Sequence, residues 1–268
     1  MIKPDFTYLS LGCGVQSSAL LVLGATGVVP KPDLAVFADT GDEPSYVYNY
    51  LELLTEYAAS QGIPVSVAKK GILSEDYLAA QTSDRRGVSL PLFIKNVDGA
   101  QGLLMRQCTR EYKVEPIEKL VRAHLGYKPR QRIKERVVCQ IGISVDEAMR
   151  MKPSRVGWVR NTFPLVDLHM TRRKCSEIVV RAGLPEPKKS ACVFCPYHSN
   201  SYWKAMKDEH PDEFWSAVDF DAAIRKRGGR KEEAFLHRSL MPLDVADLDP
   251  MKDQVDMFGN ECEGLCGL

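Results

Sequence analysis

The chain has 268 residues, 44% of them hydrophobic and 26% charged, with a formal net charge of +1 at pH 7. That is enough apolar material for one large α/β core with a small appendage, and it excludes a disordered chain. It also excludes nucleic-acid binding through a global positive excess, so any such binding has to use a local patch.

From Phe6 the run FTYLSLG predicts a short buried strand ending in glycine, and residues 17–23 (SSALLVL) predict a helix opened by hydroxyl caps. A second strand is expected over 34–38 (LAVFA), then the turn Asp39-Thr40-Gly41-Asp42, a helix over 45–60 and a third strand over 64–68. Residues 71–104 are irregular, and 82–87 (TSDRRG) read as an exposed loop placed to cover a site. A helix is expected over 110–124, and 136–143 (RVVCQIGI) has the β-branched character of a buried parallel strand. Beyond Pro185 a Cys-x-x-Cys is followed by aromatic-rich, helical stretches to about Arg238 and a short acidic tail. Such alternation predicts a doubly wound, mainly parallel α/β sheet. The division is 1–185 for that domain and 186–268 for a cysteine-containing helical extension. No stretch approaches the roughly 20 apolar residues of a membrane span, and the first residues lack the apolar core of a signal peptide. The expected compartment is the cytoplasm, with no membrane partner.

Eight cysteines without a secretion signal point to metal binding or thiol chemistry rather than a disulfide framework. Basic runs at 128–136, 172–174 and 225–231 are solvated faces or local anion patches.

Ser10, Gly12, Gly14, Gln16, Ser17 and Ser18 occupy a glycine-rich turn between strand and helix. Such a turn aims free backbone N–H groups and the helix dipole at an anion. It matches neither the Walker nor the Rossmann pattern. It resembles the PP-loop of the ATP pyrophosphatase superfamily, and especially the divergent loops of the phosphoadenylyl-sulfate (PAPS/APS) reductase family. Gln16 stands where many pyrophosphatases carry Asp, which bears on magnesium-assisted release of pyrophosphate. The resemblance continues at Asp39, Thr40 and Gly41, close to the family's Asp-Thr-Gly beside the nucleotide, and at Gly142 and Ile143, where these folds contact adenine and ribose. It implies an adenine nucleotide alpha hydrolase-like fold and, as ligand, ATP or adenylyl sulfate with magnesium. Cys13 reads as a small loop residue and Cys139 as a buried hydrophobe.

The segment from Arg106 to Pro116 (RQCTREYKVEP) resembles the reductase segment in which a cysteine pair precedes Arg-Lys-Val-x-Pro, with Gln107 in place of the first cysteine. Cys192 and Cys195, in SACVFCPY, resemble the second half of an iron–sulfur site in the same reductases and in the sulfurtransferases of DNA phosphorothioation and tRNA thiolation. The implied group is a 4Fe-4S cluster on Cys108, Cys192 and Cys195, with Cys175 as the fourth ligand. The alternatives are a three-cysteine cluster with an open iron and a structural zinc on Cys192, Cys195, His198 and one more group. Arg110, Lys113, Arg172 and Arg173 are expected anion contacts near the thiols. The ending ECEGLCGL resembles the reductases' mobile catalytic tail, which makes Cys262 a nucleophile or sulfur carrier and Cys266 its resolving thiol.

Three functions are compatible with these features. The first is an ATP-dependent sulfurtransferase that adenylates its substrate and inserts sulfur with the cluster. The second is a thiol-dependent reductase of adenylyl sulfate or phosphoadenylyl sulfate. The third is a nucleic-acid-binding module with a structural metal. Beyond the nucleotide, a tRNA or DNA substrate, a sulfur-donor protein and a homodimer are open as partners.

Overall fold

The computed structural model describes residues 4–81, 87–225 and 232–252. Most of the loop expected over 82–87, most of the basic run 225–231, and the tail with Cys262 and Cys266 lie outside the described residues.

Buried, largely apolar runs generate the central strands of the main sheet, β1 (Phe6–Ser10), β2 (Leu34–Asp39) and β6 (Val137–Ile141), and the more polar β3 (Val65–Lys69) and β7 (Val159–Thr162) form its edges. They form one parallel five-stranded sheet in the order β3-β2-β1-β6-β7. Successive side chains leave on opposite faces. Leu9, Ala35 and Phe37 pack with α1 (Val15–Ala25), α2 (Ser45–Ser60) and α6 (Arg172–Arg181), while Tyr8, Val36, Cys139 and Ile141 pack against α4 (Glu115–His124). Both faces are therefore covered, as the buried central strands require. The strand order reverses at β1, so the β1/β6 boundary is a topological switch point.

The described residues of the part read as irregular contain regular structure. Residues Leu73–Gln81 form α3, and β4 (Phe93–Lys95) and β5 (Gln101–Leu103) make a hairpin. The hairpin is completed by β8 (Glu233–Phe235) into an antiparallel three-stranded sheet. Under it, Tyr77, Leu92, Tyr112, Trp203, Phe214 and Phe220 share a second core with α7 (Asn200–Glu209) and α8 (Pro211–Arg225). Asp221, fully buried, accepts from the N–H groups of Leu236 (2.8 Å) and Leu243 (3.0 Å) and pairs with Arg225, which fastens α8 to β8. This small sheet and core join chain from both sides of residue 185.

The helix expected over 110–124 starts as a π-helical turn, Thr109–Val114, and becomes α-helical at Glu115. The wide turn turns Tyr112 and Lys113 inward, and single π turns of this kind are frequent at functional sites. Among the described residues no helix is long and apolar enough to cross a membrane.

Candidate functional site

The loop after β1 lies at the carboxyl edge of the sheet, beside the switch point. Its helix α1 begins two residues earlier than the sequence pattern suggests, capped by Gly14, which offers no side-chain hydrogen bond. The first-turn N–H groups therefore have neither an intrahelical partner nor a cap. The side chains expected to hold the nucleotide serve the loop itself. Ser17 Oγ accepts from Gly12 N–H (3.2 Å) and donates to Gly14 O (3.2 Å), and Ser18 Oγ donates to the same carbonyl (2.8 Å). Gln16 is fully buried; its amide donates to Glu147 Oε2 (3.3 Å) and accepts from Arg172 (3.2 Å). What the loop offers a ligand is backbone, with Gly12 its most accessible residue. Cys13, at φ 57°, is buried in the core, and burial pushes its thiol up.

Gly142 follows β6 and lies against the start of α1: a Cβ there would stand 2.6 Å from Ser17 N and 2.9 Å from the Gln16 carbonyl carbon. Its role is close approach of two backbones, whereas its neighbour Ile143 faces a cavity of about 280 Å³. Tyr8, Ser10, Ile141 and Phe163 line that cavity with Val114, Ile117 and Glu118 from α4's side, and the loop 150–155 brings Arg150, Lys152 and Arg155 to it. Arg150 pairs with Glu147 (2.6 Å), so the cavity wall and Gln16 belong to one polar network. The sequence reading did not name this wall; its signal was the basic run in Met-Lys-Pro-Ser-Arg (151–155). Cys139 lines the cavity as a buried hydrophobe, its thiol pushed up to about 12 by burial.

At the end of β2 the Asp-Thr-Gly turn is held by Asp39. Its carboxylate accepts from Gly41 N–H (2.8 Å) and Tyr48 Oη (2.8 Å) and pairs with Lys69 (2.7 Å). Burial raises the carboxyl's pKa, but Lys69, Gly41 and Tyr48 together outweigh it and hold the group below its ordinary value. Gly41 has φ 80°, and a Cβ would lie 2.9 Å from Ile72 Cγ1, so both conformation and space demand glycine.

The Cys-x-x-Cys loop docks on this turn. Val193 N–H donates to Asp42 O (2.8 Å), and Cys192 Sγ lies 3.2 Å from Thr40 Oγ1 and 3.9 Å from Glu43 Oε1. Glu43 is buried and pairs with the equally buried Lys113 at 3.1 Å. Cys108, Cys192 and Cys195 line one pocket here, with Thr40, Arg106, Lys113 and Tyr197. Arg106 also lies over the Tyr197 ring at 5.4 Å. Burial, then the neighbouring Glu43, pushes the Cys192 thiol well up, against the smaller pull of Lys113 and Thr40.

Three of the four expected cluster cysteines thus come together and Cys175 does not. It is fully buried in the core of α1, α2 and α6, packed with Leu165 and Val179. Among the described residues no three His, Cys, Asp or Glu side chains converge tightly enough for a single metal ion, whereas tetrahedral zinc needs thiolates within about 4 Å of one another. His198 Nε2 pairs with the Cys192 carbonyl (2.9 Å), and its ring stacks on Tyr202 at 3.8 Å. Three thiols line one pocket with Arg106 and Lys113 beside them, a donor set of the kind that thiolate clusters use. Arg110 and Arg173 lie outside this pocket. Arg110 is exposed and pairs with Glu115 (2.9 Å), and Arg173 is 84% exposed beside Glu177. Arg106 takes the place expected for Arg110. Glu43, which carried no signal in the sequence, is the buried acid at the centre.

The π-helical turn divides the two pockets: Cys108, Thr109 and Lys113 face the thiols, and Val114, Ile117 and Glu118 face the larger cavity.

No protein-family model matches the sequence. No curated protein matches it. Among solved structures it is similar to the phosphate complex of phosphoadenylyl-sulfate (PAPS) reductase from Candida auris, with 15% identity, coverage of 68% of this chain and 74% of that one, and a TM-score of 0.41.

Proposed function

We propose that the chain is an ATP-dependent sulfur-transfer enzyme of the PP-loop type. The nucleotide's phosphates lie on the N–H groups at the start of α1 and its base in the 280 Å³ cavity. The observation that carries the reading is the convergence of Cys108, Cys192 and Cys195, from distant parts of the chain, on one pocket that abuts the Asp-Thr-Gly turn.

In the reaction a substrate oxygen attacks the α-phosphorus of ATP; a P–O bond forms, and the bond to pyrophosphate breaks. A sulfide-level nucleophile then bonds to the substrate atom bearing that oxygen, and AMP leaves with the oxygen and its electron pair. No net oxidation is involved. The backbone of loop 12–18 and the dipole of α1 stabilise charge on the phosphates. Cys108, Cys192 and Cys195 would hold a 4Fe-4S cluster, which when bound supplies a site for the sulfur. Lys113 and Arg106 offset the negative charge of thiolates and of an entering anion. Glu43 fixes the Lys113 ammonium at the pocket wall. The π-helical turn keeps the thiols apart from the nucleotide cavity.

The same cations beside the thiols suit a sulfonate, which favours, as a second reading, thiol-dependent reduction of an adenylyl sulfate. The test is anaerobic purification of wild type, Cys192→Ala and Cys175→Ala, with iron, sulfide and zinc analysis. About four irons per chain, lost in Cys192→Ala and kept in Cys175→Ala, is the expected result. Zinc or no metal in the wild type overturns the cluster. Sulfite release from adenylyl sulfate without ATP would favour the reductase.

A further inference from the structure

The cavity beside Ser10 is closed mainly by apolar side chains, and one carboxylate enters it. Glu118 lines the wall on α4, one turn after the π-helical segment. Its neighbours in charge are Glu115, Arg110 and Arg122, and among the described residues no hydrogen bond reaches its carboxylate. On the same wall system Asn161 spends its amide nitrogen on the Lys152 carbonyl (3.0 Å), which anchors the 150–155 loop. Glu118 is thus a half-buried acceptor that no donor among the described residues reaches, although Arg150, Lys152 and Arg155 line the same cavity, and burial raises its carboxyl pKa. A ligand group that donates to it relieves that cost, and a ligand group that presents another acceptor worsens it.

At about 280 Å³ the cavity lies at the small end of ligand pockets, which run roughly from 300 to 1,000 Å³. That suits one nucleoside. Ser10 lines it at the start of the phosphate loop, which directs the sugar end of the ligand to the loop and the base to the α4 side. The donor that a nucleobase brings to such a depth is its exocyclic amino group.

We propose that Glu118 is the residue that selects the base, by accepting a hydrogen bond from the 6-amino group of adenine. Hypoxanthine carries a carbonyl oxygen at that position and sets two acceptors against each other. This inference rests on the reading of the cavity as the base site of a nucleotide enzyme.

The test is equilibrium binding of ATP and ITP to the full chain, without acceptor, for wild type, Glu118→Gln and Glu118→Leu. Wild type is expected to prefer ATP by about 10- to 100-fold, the range of a charge-assisted hydrogen bond. Glu118→Gln, whose amide can turn either its oxygen or its nitrogen to the ligand, is expected to reduce the preference to a few-fold while still binding both. Glu118→Leu is expected to lose the preference through weaker ATP binding. Equal affinity of wild type for ATP and ITP, or a full preference kept in both variants, overturns the role of Glu118 and leaves the proposed function standing. Binding of neither nucleotide to wild type overturns both.

Discussion

The two sides of the candidate site are built in different ways. The phosphate-loop side is local and made of backbone: one strand, one turn and one helix start, whose hydroxyls and glutamine bond within the protein. The thiol side is long-range and made of side chains: residues near 40, 108 and 192 meet around a buried Glu43–Lys113 pair. A backbone site tolerates side-chain change and fails when backbones are pushed apart. A side-chain site fails when one buried partner is lost, because a buried charge without its counter-charge is costly.

The largest effect is expected from breaking that pair. Lys113→Met leaves Glu43 buried and unpaired, and breaking a buried pair on one side costs about 3–5 kcal/mol. Denaturant unfolding should show this, and Glu43→Gln combined with Lys113→Met should recover much of the loss. If the single variant were as stable as wild type, the thiol side would not be held by charge. On the other side, Gly142→Ala forces a Cβ against Ser17 N, and overpacking of this kind costs about 1–3 kcal/mol. It should also weaken ATP binding, since it displaces the loop backbone. Ser18→Ala, which removes a side-chain hydrogen bond to Gly14 O and leaves the backbone in place, should cost about 1 kcal/mol and change ATP affinity little. Equal losses of affinity in Gly142→Ala and Ser18→Ala would break the distinction between a backbone site and a side-chain site.

The same difference governs what could be read from the sequence. The strands, the loop and the Asp-Thr-Gly turn were legible because their signals are contiguous: apolar runs, glycines where backbones touch, and an acid that closes its own turn. The three pocket cysteines were legible because their spacings carry a known pattern. The fourth was not. No spacing pattern marks Cys175, and its helix has a buried stripe that turns the cysteine into the core with Val179. Arg106 lies in the irregular segment before the π-helical turn and lines the pocket, whereas Arg110 lies on the turn, exposed, so the position of the helix start decides which arginine reaches the thiols. Glu43 was hidden for a different reason. An acid before Pro44 and a helix reads as an entry to that helix, and its partner Lys113 is far away in the chain. The small sheet was missed because each of its three strands is only three residues long, too short for any period to show.

The smallest and most discriminating effect concerns Asp39, where the two sides join. Its carboxyl is held below its ordinary value, because Lys69, Gly41 N–H and Tyr48 outweigh the cost of its burial. A folded-state pKa below the unfolded value, about 3.9 for Asp, means that ionised Asp39 adds stability above that pH. The addition is lost as pH falls through the folded value. Asp39→Asn keeps the shape but removes the charge facing Lys69. It should therefore be less stable than wild type at pH 7, with the gap closing below about pH 4, as followed by thermal unfolding at a series of pH values. Because the same turn holds Thr40 against Cys192, loosening it should also raise the rate at which a thiol reagent labels Cys192 at pH 7, to an extent that vanishes with the stability gap in acid. A gap that stayed constant with pH would mean that the turn is fixed by packing around Gly41 alone, and that the charge on Asp39 is free to meet a ligand.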